Sequence, residues 1–60
     1  MPSFLVVEVK KECTAAELIR EYGRNPEVYY VVRDERVLRP GDRLKPGDRV
    51  AIIPLIAGGS

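Results

Sequence analysis

Apolar and polar residues alternate at the start of the chain in a way that predicts a β-strand. Residues 4–10 read Phe-Leu-Val-Val-Glu-Val-Lys, and Leu5, Val7 and Val9 recur at every second position. Successive side chains of a strand point to opposite faces, so a period of two gathers these three on one face. We therefore expect a strand with that face turned to the core.

A short amphipathic helix is predicted next. Residues 14–17 read Thr-Ala-Ala-Glu, the capping-box pattern, in which the Thr hydroxyl and the Glu carboxylate each accept a hydrogen bond from the other residue's amide. Gly23 suits the position just after a helix, and Pro26 prevents the helix from continuing. The apolar stripe at helical spacing, expected in the core, is Ala15, Leu18, Ile19 and Tyr22.

The remaining apolar segments predict a hairpin and a last strand. Residues 28–33 and 36–38 suit two paired strands, joined by a tight turn at residues 34–35. Residues 49–55 form a nearly continuous apolar run, which is typical of a strand buried on much of both faces. Proline has no amide hydrogen to donate, so strand pairing is expected to end at Pro54.

Two similar segments separate the hairpin from the last strand. Residues 39–43 read Arg-Pro-Gly-Asp-Arg and residues 45–49 read Lys-Pro-Gly-Asp-Arg. Proline followed by glycine suits the two central positions of a type II turn, because the second position needs a positive φ. We expect a type II turn in each segment.

The composition indicates one globular domain and excludes several kinds of site. A chain of 60 residues buries only about 60% of the surface of its unfolded form. A net charge of +1 gives no indication of nucleic-acid binding. With no histidine and one cysteine, the chain lacks the residues for histidine-based catalysis, an internal disulfide or a multi-cysteine metal site. It also lacks phosphate-binding glycine motifs, an apolar run of about 20 residues and a signal peptide, so we expect a cytoplasmic protein that is not an enzyme.

The order of strand, helix, hairpin and strand is that of a β-grasp, an α+β fold with a mixed sheet packed on one amphipathic helix. Residues 47–59 contain a Gly-Asp turn, a strand rich in Val and Ile, Pro54 and the pair Gly58-Gly59. On these residues the chain resembles the ubiquitin-like sulfur-carrier family, which includes the carriers of thiamine and molybdopterin synthesis and small archaeal ubiquitin-like modifiers. We expect a compact domain at residues 1–55 and a flexible tail at residues 56–60.

The resemblance implies that Gly59 is the working end of the protein. An E1-like activating enzyme would use ATP to adenylate its carboxylate, and sulfur from a donor protein would convert it to a thiocarboxylate for a sulfur-accepting synthase. Ile56, Ala57 and Gly58 would lie in the partner's channel, which glycine suits because it has no Cβ. The nucleotide would be held by the partner, so no bound cofactor is expected in this chain. Thiamine synthesis, molybdopterin synthesis and transfer-RNA thiolation remain open as pathways.

Two features depart from the family pattern. Only one strand precedes the helix, where the family has a two-stranded hairpin whose first strand lies beside the last one. Either the sheet is a compact variant, or a second chain supplies the pairing, as in a homodimer. Ser60 follows the diglycine, so either a peptidase removes it, or it was left by cloning, or the protein is never activated.

Two other functions fit the same residues. A ubiquitin-like modifier would join Gly59 to lysine amines of other proteins, and a β-grasp binding module would not need the tail at all. Val37, Leu38 and Leu55 are the residues expected to dock on a partner. For Val37, Leu38 and Ile56 there are two interpretations: an apolar docking patch for an activating enzyme, or completion of the small core.

Several side chains have a structural and a functional interpretation. Cys13 precedes the helix, where we favour packing against Leu18 over a redox or persulfide-carrying thiol. Tyr22 is expected in the helix stripe, and one tyrosine of Tyr29-Tyr30 in the core, in preference to stacking on bases. Four arginines interleaved with acidic residues favour a mixed solvated surface over an anion-binding patch. They are Arg33, Arg36, Arg39 and Arg43.

Overall fold

A computed structural model describes residues 4–55, and these contain six short strands and one helix. In chain order the elements are β1 (Leu5–Glu8), β2 (Cys13–Thr14), α1 (Ala15–Glu21), β3 (Tyr29–Arg33), β4 (Arg36–Leu38), β5 (Arg43–Leu44) and β6 (Arg49–Pro54). The helix and the strands expected from the sequence are all present. The two-residue strands β2 and β5 were not predicted.

The main sheet has four strands in the order β1-β6-β3-β4, so the last strand lies in its interior. Leu5 pairs with Ile52 between β1 and β6, and Val31 pairs with Ile52 between β3 and β6. All three ladders of this sheet are antiparallel. The α+β arrangement of a β-grasp is confirmed. A mixed sheet also needs a parallel pair of strands, and the ladders of residues 4–55 contain antiparallel pairs alone.

The position of β1 explains this difference. With one strand before the helix, β1 itself occupies the place beside β6, and it runs antiparallel to that strand. Within residues 4–55 the sheet is therefore compact, with β1 in direct contact with the last strand. One long edge of the sheet is formed by β1 and the other by β4.

The core lies between α1 and one face of the sheet. The expected alternation in β1 is confirmed, since Leu5 and Val7 pack against the core while Phe4 and Val6 are exposed. The buried residues are Val9, Cys13, Ala15, Leu18, Ile19, Val31, Leu44, Val50 and Ile52. Tyr22 is not among them, because α1 ends at Glu21 and Tyr22 is its C-cap, where the helical stripe no longer continues.

Local hydrogen bonds define both ends of α1. The Thr14 hydroxyl accepts from the Glu17 amide at 3.2 Å, and the Thr14 amide donates to the Glu17 carboxylate at 2.9 Å, which confirms the capping box. At the other end, Gly23 has a φ of 74° and its amide donates to the Arg20 carbonyl at 2.9 Å. The next amide donates to the Ile19 carbonyl at 3.0 Å, so the helix ends in a Schellman motif.

A two-stranded ribbon also holds the start of the helix. Cys13 of β2 pairs with Leu44 of β5. Just beyond the ribbon, the Ala15 amide donates to the Asp42 carbonyl at 2.9 Å and the Ala16 amide donates to the Pro40 carbonyl at 3.0 Å. Amides in the first turn of a helix have no partner within the helix, so these contacts satisfy groups that would otherwise need water.

The two Pro-Gly segments adopt different turns. In the second, Gly47 has a φ of 93° and the Asp48 amide donates to the Lys45 carbonyl at 3.1 Å, which confirms the type II prediction. In the first, the Asp42 amide donates to the Arg39 carbonyl at 3.0 Å, which closes the turn, but Gly41 does not have a positive φ. The type II prediction is therefore wrong for Gly41.

The reason lies in the central peptide group of that turn. Type I and type II turns differ by a flip of the peptide between the two central residues. In this turn the carbonyl of that peptide belongs to Pro40, and it accepts the hydrogen bond from the Ala16 amide. The contact with the helix thus fixes an orientation that the Pro-Gly dipeptide leaves open.

The hairpin between β3 and β4 closes tightly. Asp34 and Glu35 have φ values of 53° and 65°, and they link Arg33 to its cross-strand partner Arg36. Two consecutive positive φ values define a type I′ turn, whose twist matches that of the flanking strands. The tight turn predicted at residues 34–35 is confirmed.

Candidate functional site

The last strand carries the chain to one end of the sheet. β6 ends at Pro54, as predicted, and the Leu55 amide still donates to the Val28 carbonyl at 2.7 Å. The tail residues Ile56, Ala57, Gly58, Gly59 and Ser60 lie outside the described residues. The described fold therefore fixes the point from which the diglycine segment starts.

An apolar surface lies on the side of the sheet opposite the helix. Val6 pairs with Ala51, Ala51 with Val32, and Val32 with Val37, so one row of apolar residues crosses all four strands. We call this the outer face; besides that row it includes Phe4, Tyr30, Ile53 and Leu55. Its central residues are half-buried by their neighbours, whereas those at its margin are largely exposed.

Two of the three residues predicted for partner docking lie on this face. Val37 is 68% exposed and Leu55 is 55% exposed, and both belong to a contiguous apolar patch, the kind of surface that marks an interaction site. Leu38, in contrast, points to the other side of the sheet and packs against the core. Of the two interpretations of Leu38, the structure supports the one in which it completes the core.

Phe4 and Val6 also belong to this surface, although they were not among the predicted docking residues. They are 58% and 61% exposed, and the period of two in β1 already placed them opposite the buried face. Their connection to Val37, however, depends on the strand order β1-β6-β3-β4. That order brings together residues that are about 30 positions apart in the chain.

The arginines lie among acidic partners. Arg33 pairs with Asp48 at 3.0 Å and Arg43 pairs with Glu12 at 3.2 Å. A hydrogen bond from the Lys45 amide, together with the Arg33 guanidinium, lowers the pKa of Asp48 below its ordinary value. Because two of the four predicted arginines are neutralised in this way, the mixed solvated surface is the better interpretation.

The tyrosines do not form a stacking surface. Tyr29 packs against the core, and the Arg24 guanidinium lies over its ring at 5.8 Å from the centroid. Tyr30 follows it in β3 and points to the outer face. One member of the pair therefore faces the core, as predicted, and the other belongs to the apolar surface.

Cys13 is a buried structural residue. Its side chain is only 5% exposed and lies in the same core cluster as Leu18, which agrees with the packing interpretation. Burial raises the pKa of the thiol, and the nearby carboxylates of Glu17 and Glu21 raise it further. A thiol reacts as the thiolate, so these surroundings disfavour nucleophilic or persulfide chemistry.

A surface depression of about 480 Å³ lies beside this cysteine, lined by Lys11, Glu12, Cys13, Glu17 and Glu21. Its side chains are mostly carboxylates, and the chain has no histidine to act as a base. Within residues 4–55, no three Cys, Asp or Glu side chains are grouped so as to hold a metal ion. The feature that the geometry offers for function is thus the outer face next to the start of the tail.

Similarity to known proteins extends over almost the whole chain. The model of the ThiS family matches residues 5–59, a span that includes Gly58 and Gly59. The sulfur carrier protein TtuB of Thermus thermophilus is 34% identical over 59 residues, which cover 98% of this chain and 91% of TtuB. No solved structure matches the chain.

In the part of the chain that the structure describes, no helix has the length and hydrophobicity needed to cross a membrane.

Proposed function

The chain belongs to the ThiS family of sulfur carriers, and on this premise we propose that it carries sulfur as a thiocarboxylate on Gly59. The family match extends through Gly59 and stops before Ser60. The reactive carboxylate is that of Gly59 after Ser60 has been removed. This chain supplies the acyl group, and its partners supply the catalysis.

The chemistry proceeds in two steps. A free carboxylate is a poor acyl donor, so the Gly59 carboxylate first attacks the α-phosphorus of ATP on an E1-like activating enzyme, and pyrophosphate leaves. Hydrosulfide delivered by a donor protein then attacks the carbonyl carbon, AMP leaves with one carboxylate oxygen, and loss of the sulfur-bound proton leaves the thiocarboxylate. The resulting C–S bond holds the sulfur that a synthase accepts. ATP is bound by the activating enzyme throughout.

The observation that carries this proposal is the position of Leu55. It is the last described residue, its amide is bonded to the carbonyl of Val28 just before β3, and it lies at the margin of the outer face. Residues 56–59 extend by about 13 to 14 Å if fully stretched, at about 3.3 to 3.6 Å per residue. A partner that docks on the outer face can therefore receive Gly59 in an active site while the globular domain stays outside.

We further propose that the outer face is the docking surface for the activating enzyme. Val37 and Leu55 are the predicted docking residues that remain exposed on it, and Val6 extends the same apolar row to the opposite edge. Burying such side chains contributes about 25 cal/mol for each Å² of apolar surface removed from water. Ile56, Ala57 and Gly58 then occupy the channel that leads to the nucleotide.

Intact-mass spectrometry tests the chemistry. The chain ending at Gly59 is incubated with ATP, the cognate activating enzyme and a sulfur donor, and its mass should rise by the difference between one sulfur and one oxygen atom. Matched chains ending at Gly58 and at Ser60 should not gain this mass. An unchanged mass for the Gly59 form, with an activating enzyme proven active on another carrier, would contradict the proposal.

The same samples distinguish a sulfur carrier from a protein modifier. If the activated Gly59 carbonyl is attacked by lysine amines instead of sulfur, digestion of the cell's proteins should yield lysines carrying branched Gly-Gly remnants. Removal of Ser60 by a peptidase is tested by exposing the chain ending at Ser60 to cell extract and following the loss of one serine residue. The accepting pathway is assigned by offering the thiocarboxylate to thiamine, molybdopterin and transfer-RNA thiolation systems in turn.

A further inference from the structure

Within residues 4–55, β1 forms an unpaired edge of the sheet. β1 is bonded to β6 on one side, and no other strand of residues 4–55 lies on its second side. An open strand edge presents unpaired amides and carbonyls, and these are complementary to another extended strand.

The contacts around Val9 show which backbone groups face that edge. The Val9 amide donates to the Asp48 carbonyl, and the Val9 carbonyl accepts from the Gly47 amide, each at 2.8 Å. Val9 thus turns its backbone groups to the side of β6. Because backbone direction alternates along an antiparallel strand, the groups of Leu5 and Val7 also face β6, whereas those of Val6 and Glu8 face the open edge.

The two edges of the sheet differ in how well they are protected. β4 has three residues, begins with Arg36, and lies between Glu35 and Arg39. Charged side chains and short length are the usual means of preventing pairing at an edge. At the other edge, Phe4 and Val6 are apolar and exposed, and among residues 4–8 only Glu8 carries a charge.

We propose that two copies of the chain pair antiparallel through β1, with Val6 at the two-fold axis. In this register Val6 lies opposite Val6 of the second copy, and Leu5 lies opposite its Val7. Every residue of β1 then has a cross-strand neighbour, and the side chains remain on their own faces. A register centred on Glu8 would instead place two carboxylates opposite each other, which is unfavourable.

This pairing joins the two four-stranded sheets into one sheet of eight. Val6 gains a cross-strand neighbour at the centre of the joined sheet, and the outer faces of the two copies become continuous. Because the copies run antiparallel, the two Leu55 ends leave from opposite ends of the joined sheet, so both tails stay accessible. The inference does not depend on the proposed sulfur chemistry. A contact made by one short strand is small, so we expect a weak dimer.

The first experiment compares proline substitutions at the two edges. Val6→Pro removes an amide hydrogen that faces the open edge of β1 and leaves the bonds from β1 to β6 in place. Val37→Pro is the matched control, because Val37 is about as exposed as Val6. Its neighbour Arg36 pairs with Arg33 to close the hairpin, so the Val37 amide points the other way, to the open edge of β4. Sedimentation equilibrium up to about 1 mM protein should show dimers for the natural chain and Val37→Pro, and a dissociation constant raised about tenfold or more for Val6→Pro.

A purely monomeric natural chain over that range would overturn the proposal, and so would a dimer that Val37→Pro weakens and Val6→Pro does not. Circular dichroism of each variant establishes that it is folded.

The second experiment tests the register and does not depend on the proline variants. Directly opposed residues in a hydrogen-bonded antiparallel pair have Cα atoms about 5.5 Å apart, within the range that a disulfide spans. Val6→Cys in a Cys13→Ala background should therefore form a disulfide-linked dimer on mild oxidation, whereas Val37→Cys should not at the same concentration. If the Cys13→Ala background is unstable, Cys13 can be retained, since it is buried. Equal crosslinking of the two variants would contradict pairing through β1.

Discussion

Arg33 and Asp48 join the end of β3 to the turn that precedes β6. An Arg33 guanidinium nitrogen donates to the Asp48 carboxylate oxygen Oδ2 at 3.0 Å. The same oxygen accepts from the Lys45 amide at 2.9 Å. One carboxylate thus closes its own turn and connects that turn to a strand 15 residues away in the chain.

The first prediction concerns the stability of the fold in acid. In the folded protein the pKa of the Asp48 carboxyl lies below its ordinary value of 3.8. The main cause is the hydrogen bond from the Lys45 amide, and the Arg33 guanidinium lowers the pKa further. The unfolded chain therefore binds this proton more readily, and the stabilisation is complete above about pH 4 and is lost as pH falls through the folded pKa. Asp48→Asn removes that contribution, so between pH 5 and 2, taken as a rough range, its melting temperature should fall less than that of the natural chain. Parallel melting curves against pH would contradict this, and Asp42→Asn, in the similar turn, is the matched control.

The second prediction compares the glycines of the two similar turns. Gly47 has a φ of 93°, where a residue with a Cβ is strained, whereas Gly41 lies outside the left-handed region and has open space around it. Gly47→Ala should lower the free energy of unfolding by about 1 to 2 kcal/mol. Gly41→Ala should be neutral or stabilising by up to about 1 kcal/mol. Urea unfolding measures both, and equal losses would mean that the turns are alike.

The third prediction concerns the hairpin turn at Asp34 and Glu35. Both have a positive φ, and Asp-Gly is the sequence that type I′ turns prefer. Glu35→Gly should therefore raise the free energy of unfolding by about 0.5 to 1 kcal/mol, because glycine has no Cβ strain there. Glu35→Gln removes the charge but keeps the strained side chain, so it should bring no such gain. A gain as large in Glu35→Gln would attribute the effect to charge.

The fourth prediction separates core packing from partner docking at two adjacent isoleucines. Ile52 is completely buried, whereas Ile53 lies half-buried on the outer face. Ile52→Ala should lower the free energy of unfolding by about 2 to 5 kcal/mol. If that variant does not fold, Ile52→Val can be measured instead, with an expected loss of about 0.5 to 1.5 kcal/mol. Ile53→Ala should cost less than half as much in urea unfolding. It should nevertheless slow adenylation by the activating enzyme, and unchanged kinetics would count against docking on the outer face.

The fifth prediction uses Cys13 as a reporter of unfolding. The thiol is buried, and burial followed by the Glu17 and Glu21 carboxylates raises its pKa from 9.0. Iodoacetamide should therefore modify the folded chain much more slowly than the chain in urea, and the rate should follow the unfolded fraction. Rapid labelling of the folded chain would show an accessible thiolate and would reopen the redox interpretation.

Local patterns in the sequence predicted most of the elements correctly. The capping box at Thr14 and Glu17, the glycine after the helix and the period of two in β1 each depend on residues a few positions apart. Tyr22 shows where such reasoning fails, because a helical period gives no information on the turn at which the helix stops. The ribbon of β2 and β5 was missed because two-residue strands carry no periodicity.

The candidate site was predicted only in part. The diglycine, and the exposed residues Val37 and Leu55 as candidates for docking, were singled out from the sequence, whereas the row that joins Val6 to Val37 required the strand order. Leu38 was grouped with Val37 because they are neighbours in the chain, yet adjacent residues of a strand face opposite sides. Here Leu38 packs against the core.

From the sequence alone, the capping box and the glycine end of the helix, the buried face of β1, the hairpin turn at residues 34–35 and the diglycine could be predicted, because these depend on near neighbours in the chain. Only the tertiary structure decided that β1 pairs with β6, that Arg33 reaches Asp48, and that the turn at Gly41 differs from the one at Gly47. Each of these depends on hydrogen bonds or ion pairs between distant segments. The Ala16 amide, for example, selects the orientation of the Pro40 peptide, which a local Pro-Gly sequence permits in either form.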